Sequence, residues 1–112
     1  MTFAPGQVVT VFRSRLREDN QEEYGETAAR MEELATSMPG YVEHKAFTSA
    51  DGERVTLVTF ADQASQAAWR TQVEHRAAQR RGREAFYATY SLQVADVTSV
   101  SLFPEPPART GT

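Results

Sequence analysis

Few groups in this chain are suited to move a proton at neutral pH, and most fall in one stretch. Residues 69–90, WRTQVEHRAAQRRGREAFYATY, hold the single tryptophan, Trp69, and His75, one of two histidines. An imidazole titrates near pH 6.5, at about the point where it takes or gives a proton most readily. His75 follows Trp69 by six residues and stands between Glu74 and Arg76, flanks that equally suit a solvated helix face. His44 lies in YVEHKAF, where strand alternation groups it with Val42 and Ala46. It therefore points with the apolar set toward helix or cavity, either as a base or as a partner for a backbone carbonyl. Trp69 is either an offset-stacking lid over a planar ligand or a core anchor for its helix. Tyr87 and Tyr90 bring phenolic hydroxyls that suit a ligand oxygen, or that simply pack with the hydroxyl wet. Arg76, Arg80 and Arg83 fall near one helical face and could meet an anion. The glutamates of the first helix offer them ion-pair partners, which makes a solvated or interface role the stronger expectation.

Other chemistries are excluded by composition. No cysteine is present, so disulfides and thiolate catalysis are ruled out. No glycine-rich nucleotide loop, P-loop, nucleophile elbow or zinc-helix motif occurs. The two histidines are 31 positions apart without a neighbouring ligand pair, so no metal site is expected. Twelve basic against fifteen acidic residues give a net charge of −3, which argues against a nucleic-acid surface. MTFAPGQ lacks the basic and apolar regions of a secretory signal, and no apolar run is long enough for a membrane span. The expected location is the cytoplasm. A chain of 112 residues, 40% apolar, is sized for one domain with its own core.

The elements that must position these groups can be read in order. VVTVFRSRL (8–16) is a β-branched first strand. Asn20 with Glu23 predicts a capping-box start, followed by Tyr24, Thr27, Ala28, Met31, Leu34, Ala35 and Met38 at helical spacing. Pro39-Gly40 stops that helix. Strands at 41–48 and 53–61 meet through Ser49-Ala50-Asp51-Gly52, where glycine accepts positive φ without steric cost. Asp62 predicts an N-cap for a second helix carrying Ser65, Ala68 and Trp69. Broken helix is expected from Glu74 to about Glu84, interrupted near Gly82, then a fourth strand over 88–98. The order β-α-β-β-α-β is the ferredoxin-like α+β plan, with both helices on one face of an antiparallel sheet. Val9, Val11, Leu57, Ala95 and Val97 make the other face apolar as well, and such a face wants cover. A homodimer, sheet against sheet, supplies it. The domain is expected over 1–103, with a proline-rich tail at 104–112.

FRSRL, RMEELATSMPGYVEHKAFTSADGERVTLVTFAD and AWRTQVEHRAAQRRGREAFYATYSLQV, in that order, resemble the antibiotic biosynthesis monooxygenase family from about Val8 to Val97. The resemblance implies a dimeric α+β barrel. It further implies a cofactor-independent monooxygenase that oxidises an aromatic polyketide, anthrone- or quinol-like, with molecular oxygen and no metal or flavin. That branch uses a tryptophan with an asparagine one turn before it. Trp69 matches the tryptophan, and Ser65 stands at the earlier position. The catalytic set expected on this basis is Trp69 as ring platform, His75 or His44 as proton acceptor, and Ser65 with Tyr87 as oxyanion donors. Met31, Leu34, Phe60, Tyr87 and Tyr90 would contact the substrate. A second branch degrades heme with a histidine about ten residues beyond the tryptophan, where this chain has Gln79. A third reading is a non-catalytic dimeric module that binds a small metabolite.

Overall fold

In the computed structural model, which describes residues 3–105, β1 (Val8–Leu16) leads into α1 (Gln21–Ser37), then β2 (Tyr41–Thr48) and β3 (Arg54–Phe60). The second crossover is α2 (Gln63–Arg70), α3 (Val73–Arg81) and one π-helical turn (Gly82–Phe86), and β4 (Tyr87–Asp96) closes the chain. The expected tail falls mostly beyond residue 105, outside the described residues. The four strands form one antiparallel sheet in the order β2-β3-β1-β4, the ferredoxin-like arrangement.

Register fixes which side chains share a face. Thr10 stands between Val58 and Val94, and Phe12 between Thr56 and Leu92. His44 neighbours Val58 on the other side. These residues, with Val8 and Phe60, face the helices. Ala35, Val58, Phe60 and Trp69 form the buried cluster, with Met31, Leu34, Met38 and Tyr41 packed against it. Alternate residues Val9, Val11, Val55, Leu57 and Phe47 turn to the opposite face, where Phe47 is 50% exposed. The two-faced apolar pattern therefore belongs to the strands themselves, as the period of two requires.

Local chemistry accounts for the boundaries. The Asp62 carboxylate accepts from Ser65 N at 2.8 Å, so α2 begins at the expected cap. α1 differs. Asn20 sits in the left-handed region (φ 59°) and makes no side-chain cap. Its amide instead donates to Ala85 O at 3.2 Å, while Glu23 pairs with Arg81. The expected capping box does not form because both its members are engaged by the second crossover. The π turn frees carbonyls that need donors. Arg17 N takes Phe86 O at 2.8 Å, Arg17 Nη1 reaches Glu84 O at 3.3 Å, and Asn20 takes Ala85 O. The broken helix expected near Gly82 resolves into α3 followed by this turn, and β4 begins at Tyr87, one residue early.

Candidate active site

Between α1, α3, the π turn and the helix-facing side of the sheet lies a cavity of about 370 Å³. That volume falls in the range of small-molecule sites. Thr10, Phe12, Thr56, Val58 and Leu92 form its floor, and Tyr24, Met31, Phe86, Tyr87 and Tyr90 much of its wall. The wall is mostly apolar. Phe12 meets Tyr87 edge-on at 5.2 Å and Tyr90 at 5.3 Å, and Tyr24 meets Phe86 edge-on at 5.7 Å. Rings braced against one another present fixed surfaces to a ligand.

Trp69 joins core and cavity. It is 4% exposed, packs near Phe60 at 6.3 Å and lines the cavity. Its indole lies parallel to the His75 imidazole, centroids 3.9 Å apart and planes 16° from parallel. Thr71 and Gln72 break the helix between them, and the Gln72 side chain caps α3 by accepting from His75 N at 2.7 Å. That break folds His75 back over Trp69. His75 Nδ1 lies 3.0 Å from Trp69 O. A carbonyl only accepts, so Nδ1 carries the hydrogen and Nε2 keeps the lone pair. Burial lowers the His75 pKa below the ordinary imidazole value, against the opposing pull of the Trp69 carbonyl. His75 is thus a neutral base at physiological pH. Tyr87 goes the other way: burial, helped by Tyr24 and Tyr90, raises its pKa and keeps it a protonated donor.

Trp69, His75, His44, Met31, Tyr87 and Tyr90 all line this one cavity. Three expected residues do not. Phe60 is fully buried in the core cluster, with Leu34 packed against that cluster. Ser65 points to the start of β2. Gly40 adopts φ 82°, and a methyl group there would overlap Ser65 Oγ. Ser65, expected as an oxyanion donor, thus has its hydroxyl beside the Gly40 backbone and outside the cavity lining.

Sequence reasoning missed Gln66. It precedes Trp69 by three residues rather than four, lies on the inner face of α2, is 3% exposed and lines the cavity. Its amide reaches Thr10 Oγ1 only at 3.5 Å, a long contact that leaves donor capacity for a ligand. A search at i−3 as well as i−4 from the tryptophan would have found it, since both spacings share a helix face. Arg70, Gln79 and Arg83 also line the cavity. Among the described residues no cluster of histidine, aspartate and glutamate is placed to hold a metal ion. No described helix is long and apolar enough to cross a membrane.

Residues 7–81 match the family model described as antibiotic biosynthesis monooxygenase. The uncharacterized protein YqjZ of Bacillus subtilis is 36% identical over 104 residues, covering 93% of this chain and 90% of the relative. Among solved structures, SnoaB, a cofactor-independent oxygenase from Streptomyces nogalater, superposes with a TM-score of 0.72 at 19% identity. That match covers 91% of this chain and all of SnoaB. Rv0793 from Mycobacterium tuberculosis gives 0.73 at 18% identity over 85% of this chain and 99% of its own.

Proposed function

Because the chain belongs to the antibiotic biosynthesis monooxygenase family, we propose that it is a cofactor-independent oxygenase acting on a planar aromatic substrate of the anthrone or quinol type. The observation that carries this reading is the Trp69–His75 stack, with one nitrogen tied and the other free on the wall of an apolar cavity. The substrate rings lie against Tyr87, Tyr90 and Trp69. His75 Nε2 takes a proton from the activated methylene. The resulting carbanion gives one electron to molecular oxygen, and the two radicals join into a peroxide anion on carbon. Proton return from His75 gives the hydroperoxide, which loses water to leave a carbonyl. One oxygen atom ends in the quinone and one in water, so the substrate supplies every electron. The Gln66 amide and the Tyr87 hydroxyl donate to the ring oxygen as it becomes an oxyanion. His44, on the same wall, is the second proton acceptor available. Heme degradation fits less well, because Gln79 stands in the cavity lining at the offset where that branch places its iron ligand.

Oxygen uptake by chelator-treated protein supplied with an anthrone tests the proposal. His75→Ala should lower the rate about 100-fold or more, as loss of a general base does, and Gln66→Ala about 100-fold, as loss of an oxyanion donor does. Wild-type rates in both His75→Ala and Trp69→Phe would sink the assignment and favour a binding module. A homodimer formed through the open sheet face completes the proposed active form.

A further inference from the structure

We propose that the ligand of this cavity is an acid: a planar aromatic carboxylate whose charged end is held at the mouth by Arg70 and Arg83. The inference rests on the reading of the cavity as a planar-aromatic site and adds the charge its occupant must carry. Arg70 is the last residue of α2 and Arg83 belongs to the π turn, so two arginines from separate elements line one cavity. Both are exposed residues of the lining, which puts them at its rim.

Among the described arginines without an ion pair (Arg54, Arg70, Arg76, Arg80 and Arg83), only Arg70 and Arg83 line the cavity. Arg13, Arg15, Arg17, Arg30 and Arg81 are each ion-paired, at 2.6 to 2.9 Å, with Glu53, Asp51, Asp19, Glu74 and Glu23 respectively. The side chains of Arg70 and Arg83 enter no ion pair or hydrogen bond among the described residues. Among the described residues no aspartate or glutamate lines the cavity, although acidic residues outnumber basic ones by fifteen to twelve in the whole chain. Carboxylates are thus plentiful elsewhere and lacking at this one mouth. Every ionisable group on the cavity wall is arginine, histidine or tyrosine. An apolar slot lined by two exposed arginines without ion pairs suits flat rings with an anionic end, because a guanidinium's planar fork matches a carboxylate in two hydrogen bonds. Arg76 and Arg80 also carry no ion pair but lie outside the lining, and they provide the control.

Trp69 is the only tryptophan, so its fluorescence reports the cavity directly. Wild-type protein is titrated at low salt with anthraquinone-2-carboxylate and with the neutral anthraquinone-2-carboxamide. The acid should bind about tenfold tighter or more, as charge-assisted pairing predicts. In the Arg70→Gln/Arg83→Gln double variant the preference should fall to about twofold or less, with the amide's affinity unchanged. Arg76→Gln/Arg80→Gln should keep the full preference. Equal affinities in the wild type, a preference that survives the double variant, or one lost equally in the control pair would each overturn the inference while leaving an aromatic site in place. Quenching by neither probe would overturn it together with the functional reading beneath it.

Discussion

His75 is set by two contacts, one covering its ring and one holding its Nδ1 hydrogen, and both come from Trp69. Its pH behaviour follows. The folded-state pKa is lowered, chiefly by burial. Between that value and about 6.5 the unfolded chain binds the extra proton and the folded one does not. The contribution of His75 to stability is therefore complete above about pH 6.5 and lost as pH falls toward the folded value. The acid limb of kcat/KM should have its midpoint below 6.5, and His75→Gln should remove that limb rather than move it. A midpoint above about 7 in the wild type would mean that another group is the base. In the sequence His75 read most simply as a solvated helix residue, because Glu74 and Arg76 flank it. Its place in the cavity depends on a helix break at Thr71–Gln72 that no strong breaker announces. Gln72 caps α3 with an amide that cap preferences do not lead one to expect. Trp69 read in the sequence as either a core anchor or a lid over a ligand; it belongs to the buried cluster and also lines the cavity.

At the scale of elements, the strands, α1 and the start of α2 were written in period and cap, and they lie within a residue or two of the expected positions. The π turn was not, since it has no periodicity of its own and its carbonyls are held by donors from Arg17 and Asn20 in the loop after β1. Gly82 is the residue that permits it. Its backbone is ordinary right-handed helix, yet a Cβ there would overlap the edge of the Tyr87 ring. Tyr87 cannot easily give way, being enclosed by Phe12, Tyr24, Phe86 and Tyr90. Alanine at a helical glycine would ordinarily gain about 1 kcal/mol. Overpacking against a braced ring costs about 1–3 kcal/mol, so the clash should win. Gly82→Ala is expected to lower stability by about 1 kcal/mol in urea and to weaken aromatic-probe binding through the displaced Tyr87. A more stable variant with unchanged binding would show that the ring has room to move.

Across the whole molecule, helices cover one face of the sheet and leave Val9, Val11, Val55, Leu57 and Phe47 on the other. Burying that face against a second copy is the simplest way to remove it from water. Sedimentation should give a species of twice the 12.5 kDa of one chain. Leu57→Lys, beside Lys45 and Val11 in the sheet, should shift it to the monomer. A wild-type monomer at tens of micromolar (about 50 μM) would reject the dimer. The need for cover was legible from the strands alone. The cavity was legible only in part, because its lining draws residues from all eight elements.

The four strands thus carry two messages on alternate letters. Thr10 and Phe12 address the cavity, and Val9 and Val11 address the opposite face. Single substitutions edit one message and spare the other. Inserting or deleting one residue inside β1 would exchange them, sending threonine and phenylalanine outward and valines into the cavity. Variation in such a strand should therefore proceed by replacement, with changes of length confined to the connections at its ends.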